Sequence, residues 1–111
     1  MKNFFDIQNF DGDIVTNPPY AFAREFVLHA LEVVPTGNKI AMLLRLQFLE
    51  GTKRYISLFK TQPPKYIYCF VKRQNCYKNG TETPWGHSAV AYAWFVWVKG
   101  SKTEPILRWL D

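Results

Sequence analysis

The 111-residue chain is predicted to form one α/β domain, a mixed sheet of about four strands with helices packed on it. Three observations carry this expectation. Residues 40 to 46 are apolar at nearly every position, the pattern of a strand covered on both faces. Phe22, Phe26, Ala30 and Val34 recur every four residues with Val27 and Leu31 beside them, which makes one helical stripe. Residues 65 to 72 and 89 to 98 read as strands with no helix between them, so they are expected to pair antiparallel.

Taken in order, the first strand is Ile14 to Thr16, and it runs straight into Asn17-Pro18-Pro19-Tyr20. Two consecutive prolines fix φ and carry no N–H, so they make a stiff corner whose neighbouring carbonyls lack ladder partners. The corner holds an Asn carboxamide, with both an acceptor and donors, close to a flat Tyr ring, a combination suited to a planar amine. The helix that follows turns Arg24, Glu25, His29 and Glu32 to its polar face, where His29 reads as a surface residue. Pro35-Thr36-Gly37-Asn38 ends it. Strand, helix and strand in that order make one right-handed parallel crossover.

Thr52 is positioned to cap a short helix through Phe59, and Gln62-Pro63-Pro64 stops it before the next strand. Residues 75 to 88 hold Gly80, Pro84 and Gly86 among polar side chains and read as an irregular excursion, of a length that is usually functional or disordered. The first strand is expected at a sheet edge, covered by Phe4-Phe5-Asp6-Ile7, by a second copy of the chain or by a separate chain, because a regular open edge invites association. A homo-oligomer or a partner complex is expected over a free monomer.

The net charge of +5 is unevenly placed. Residues 45 to 80 carry eight Lys or Arg against Glu50 alone, whereas residues 1 to 38 carry two against five acids. Such a basic middle suits backbone phosphates and a salt-sensitive affinity for DNA. Lys53, Arg54 and Lys60, on the short helix, read as solvated surface. Arg45, Lys72, Arg73 and Lys78 are the candidate phosphate contacts. Trp85 is a candidate base contact, and with His87 it fits plain loop structure equally well. Cys69 and Cys76 lack Cys-x-x-Cys spacing and paired histidines, so neither a disulfide nor a metal site is expected. No signal-like start and no membrane-length apolar run occurs, and a cytoplasmic location follows.

A strand ending in Asn-Pro-Pro-Tyr resembles the catalytic motif of amino-group DNA methyltransferases, above all the N6-adenine type. Residues 38 to 45 look like the next core strand of that family, residues 65 to 70 like the one after it, residues 88 to 97 like its final hairpin strand, and Pro105 to Leu110 like its closing segment. The resemblance spans about residue 10 to residue 111 and implies a partial Rossmann-like methyltransferase sheet with an antiparallel C-terminal hairpin. It implies that the target adenine is flipped from the duplex. Asn17 and the carbonyl of Pro18 would then accept its amine hydrogens, with Pro19 stiffening the corner and Tyr20 stacking on the ring.

Members of that family hold S-adenosylmethionine at an earlier Gly-rich turn, with an acidic residue at the end of the second strand. The six glycines here stand at 12, 37, 51, 80, 86 and 100, so no Gly-x-Gly occurs, and the cofactor-binding residues are unknown. Residues 1 to 111 therefore read as one truncated methyltransferase-like domain, of phage or mobile-element type and akin to restriction-modification enzymes, that keeps a target-base pocket without a cofactor motif. Catalysis by the chain alone is not expected. The alternatives are a DNA-binding module without catalysis, or an inhibitor-like protein-interaction module derived from a methyltransferase. Read without its context, Asn17 to Tyr20 is a strand-ending turn with Tyr20 packed on the next helix.

Overall fold

Five strands stand side by side in the computed structural model, which describes residues 4–72 and 91–111. They are β1 (Ile14–Thr16), β2 (Lys39–Arg45), β3 (Tyr66–Phe70), β4 (Tyr92–Val98) and β5 (Ile106–Leu110), in the spatial order β1-β2-β4-β3-β5. β1 is parallel to β2 and β5 is parallel to β3, while β4 is antiparallel to both of its neighbours. The mixed α/β sheet and its antiparallel β3–β4 pair are as the sequence predicts. The closing segment adds a fifth strand, where about four were expected, and β1 is an edge.

The apolar stripe folds as α1 (Ala23–Val33), which buries Ala23, Val27, Ala30 and Leu31. It starts one residue later than the periodicity suggests, because Tyr20–Phe22 winds as a 3-10 turn and leaves Phe22 exposed. The second helix begins as α2 (Thr52–Arg54) and continues π-wound over Tyr55–Phe59, with the Lys60 N–H donating to the Tyr55 carbonyl at 2.8 Å. Gly51, not Thr52, is its N-cap, and no side chain caps it.

Alternation along β2 sends Ile40, Met42 and Leu44 into the core, opposite Trp97, Phe95 and Ala93 of β4. None of these six side chains is more than 2% exposed. Phe48 and Leu58, from the segments that follow β2, close the same core, and Phe48 meets Phe95 edge-on at 5.8 Å. The indole of Trp97 donates to the carbonyl of Gln62 at 2.9 Å, so the largest buried ring leaves no orphan N–H.

The opposite face is different. Val15, Ala41, Val96, Tyr66 and Ile106 are register partners in one row across all five strands. None of them is buried, and Val15 is 68% exposed. The near-continuous apolar run of β2 suggests cover on both faces. Among the described residues only one face has it.

The amino-terminal phenylalanines pack on α1. Phe4 stacks on Phe26 of α1 at 4.7 Å and meets the ring of His29 edge-on at 5.0 Å, while Phe5 lies 5.4 Å from the same imidazole. His29 is thus a half-buried packing residue under two rings and not the surface residue its helical position suggests. Periodicity along one helix carries no information about a distant segment that folds over it. Among the described residues, no helix is long and apolar enough to cross a membrane.

Candidate functional site

The parallel strands β1, β2, β3 and β5 end on one edge of the sheet, and ligands of open α/β sheets bind outside such carboxyl ends. β1 is anchored at its other end. The Asp13 carboxylate accepts the Lys39 N–H at 2.8 Å and an amide hydrogen of Asn38 at 2.9 Å, which ties the start of β1 to the start of β2. These two hydrogen bonds, the backbone one foremost, hold its pKa below the ordinary carboxylate value.

At the carboxyl end, Asn17 is exposed, Pro18 is buried, and Pro19 is exposed. The carbonyl of Pro19 accepts the Phe22 N–H at 3.0 Å, closing the 3-10 turn that begins with Tyr20. The proline corner thus leads directly into α1 and fixes the Tyr20 backbone against a packed helix. Among the described residues, the Asn17 amide and the Pro18 carbonyl have no protein hydrogen-bond partner, and Asn17 is exposed to a ligand while Pro18 is buried.

The Tyr20 ring is half-buried under two cations. The Arg45 guanidinium lies 4.7 Å from its centroid, and that of Arg54 lies 6.0 Å away. Arg45, at the end of β2, therefore rests on the ring. A stacked guanidinium of this kind contributes on the order of 0.5–1 kcal/mol at an exposed site. It also marks the face of Tyr20 that a flat ligand would compete for.

Arg54 is fixed from behind. Its Nη1 donates to the carbonyls of Phe48, at 3.5 Å, and of Glu50, and its guanidinium lies 5.1 Å from the Phe48 centroid. Gly51 makes room for this arrangement. Its φ of +132° is one that L side chains rarely adopt, and a Cβ there would stand 3.1 Å from the Arg54 Nη1.

Between the Tyr20–Glu25 segment and the Phe48–Arg54 segment lies a cleft of about 450 Å³. Arg24, Lys53 and Arg54 line it, with Glu25 as its acid. Glu25 pairs with Arg24 at 2.9 Å. The first cause of its lowered pKa is its own backbone N–H, with the Arg24 hydrogen bond acting in the same sense.

The structure thus brings together Tyr20 and Arg45 of the expected site residues, with Arg24, Lys53 and Arg54 as cleft residues that sequence reasoning did not assign. Lys53 and Arg54 read as solvated helix surface because a helix pattern does not reveal which neighbour its first turn faces. The legible hint was Gly51 three positions before Arg54, at a strand-to-helix turn. Lys72 is exposed just beyond β3. Arg73, Lys78, Trp85, His87 and Cys76 lie outside the described residues.

No protein-family model and no curated protein matches the chain. Among solved structures it is similar to the crystal structure of protein Atu636 from Agrobacterium tumefaciens, described as a predicted O-methyltransferase. The TM-score is 0.59 at 17% identity, over 87% of this chain and 40% of that one. The chain therefore has a methyltransferase-like α/β fold and spans less than half the length of that structure.

Proposed function

We propose that the chain is an N6-adenine DNA methyltransferase-type module that receives the target base at Asn17, Pro18, Pro19 and Tyr20. The observation that carries this reading is the placement of Asn-Pro-Pro-Tyr at the carboxyl end of β1, with Tyr20 half-buried on a basic cleft. An adenine extruded from the stack presents its N6 amine and one ring face. The Asn17 carboxamide and the Pro18 carbonyl accept the two amine hydrogens, raising electron density on the nitrogen. Tyr20 stacks on the ring, and Arg45 gives up that face and moves to a flanking phosphate. Lys72, Arg73, Lys78 and Trp85 extend the contact along the strand.

The methyl donor of this fold family is S-adenosylmethionine, but the residues present do not fit it. No Gly-x-Gly turn occurs, and the segment before β1 is engaged in packing Phe4 against Phe26. No step is therefore assigned through the donor. Cover for the β1 edge, by a second copy of the chain or a partner, is part of this reading, and it is supported by the row from Val15 to Ile106, none of which is buried.

Calorimetric titration tests this reading. An adenine-containing oligonucleotide is expected to bind the chain, and S-adenosylmethionine is expected to give no heat with the chain alone. Saturable binding of S-adenosylmethionine by the lone chain would contradict the conclusion that its residues do not fit the donor. If an Asn17→Ala variant supports undiminished methylation in any active mixture, the role given to Asn17 fails.

A further inference from the structure

We infer that the cleft between the start of α1 and the Phe48–Arg54 segment is a phosphodiester site, built by Arg24, Lys53 and Arg54 for the strand whose base lies on Tyr20. It rests on the base-binding reading above and assigns the backbone next to that base to a specific set of cations.

Three cations converge on the cleft from segments about thirty positions apart in sequence, against the single carboxylate of Glu25. A solvated helix face spreads like charges apart, whereas here Arg24 of α1, half-buried, and Lys53 of α2, exposed, line the same cleft. The Lys53 ammonium has no acceptor among the described residues, and it is one of the charges that lower the Glu25 pKa. Arg54 spends only Nη1 on the Phe48 and Glu50 carbonyls. Those bonds hold the side chain still and leave its Nε and Nη2 donors without a protein acceptor among the described residues. Arg24 is steadied in the same way, by Glu25 at 2.9 Å and by the Ser57 hydroxyl at 3.4 Å. Cations fixed by protein contacts lose little side-chain freedom when an anion arrives. At about 450 Å³ the cleft lies in the range of ligand sites and takes a nucleotide unit, not a bare ion alone. Tyr20 is shared between the two sites, so a base on its ring brings its own phosphate to the cleft mouth.

The test is fluorescence anisotropy with a labelled, adenine-containing single-stranded oligonucleotide, followed from about 50 to 200 mM salt. The proteins compared are the wild type, the double variant Arg24→Gln/Lys53→Gln, and Tyr20→Ala, each verified by its thermal melt. Arg54 is left intact because it also holds the Phe48–Gly51 turn. Each phosphate contact on a single strand contributes about 0.7 to the slope of log affinity against log salt, so the double variant is expected to lower the slope by about 1.4 and the low-salt affinity at least roughly tenfold.

An unchanged slope overturns the proposal, as does a wild type that binds no oligonucleotide at low salt. Displacement of the oligonucleotide by equimolar pyrophosphate at matched ionic strength would reassign the cleft to free phosphates and overturn the DNA assignment. If the double variant loses slope while Tyr20→Ala binds like wild type, the cleft stands and the base-stacking reading fails. If Tyr20→Ala alone weakens binding, the base reading stands and the cleft fails.

Discussion

Tyr20 is the residue on which the proline corner, the end of β2 and the second helix converge, and its ring carries the consequence. Replacing it by Ala removes a stacking platform worth about 1–3 kcal/mol per base and is expected to weaken oligonucleotide binding accordingly, without altering the salt slope. Anisotropy titration measures both. Gly51 makes a second prediction at this scale. With φ at +132° and the Arg54 Nη1 only 3.1 Å from where a Cβ would stand, Gly51→Ala is expected to destabilise the fold by about 1–3 kcal/mol. Urea denaturation reads this as a lower midpoint. Asn17 is exposed and holds no structural hydrogen bond among the described residues, so Asn17→Ala is expected to leave the melt unchanged while weakening base recognition.

At the scale of elements, the short strand β1 depends on how its start is pinned. Asp13 accepts from Lys39 and Asn38, and these bonds hold its folded pKa below the ordinary carboxylate value. A depressed carboxylate pKa contributes stability that is present above the unfolded value and is lost as pH falls through the folded one. Asp13→Ala is therefore expected to lower the melting temperature near neutral pH, with the gap to wild type shrinking once pH drops below about 3.9. A gap that is constant with pH would assign the effect to something other than this charge. The elements themselves differ in how far the chain announces them. Apolar periodicity reads out α1, which buries one regular face, and a near-continuous apolar run reads out β2. β5 is not legible as a strand, since all five of its residues are exposed and no burial pattern distinguishes Ile106–Leu110 from a tail. The π-wound turn over Tyr55–Phe59 is equally silent, because no residue pattern distinguishes it from an ordinary helical turn. For the site, the proline corner was legible as a motif, while the cleft was not, since Arg24 and Lys53 are brought together only by the fold.

For the whole molecule, the distribution of burial is the dominant fact. One face of the sheet packs Trp97, Phe95, Met42 and Ile40 almost without exposure, while in the row on the other face Val15 and Ile106 are exposed and Ala41, Val96 and Tyr66 half-buried. Parallel pairs such as β1–β2 and β3–β5 are ordinarily covered on both sides. Covering this face and the β1 edge is the role proposed for a partner or a second copy. If a second copy fills it, light scattering is expected to give a mass that rises with concentration, and Val15→Lys is expected to return it to that of one chain. A single-chain mass at every concentration would exclude a second copy from that role.

If Asn17 to Tyr20 receives an adenine as proposed, the chain distinguishes two duplexes that differ at one position. One carries an unpaired adenine, the other an abasic site with the same backbone. The wild-type chain is expected to bind the adenine duplex about 5- to 150-fold more tightly, the equivalent of about 1–3 kcal/mol of stacking, and Tyr20→Ala is expected to abolish the difference. Equal affinity of the wild type for both duplexes would contradict the proposal.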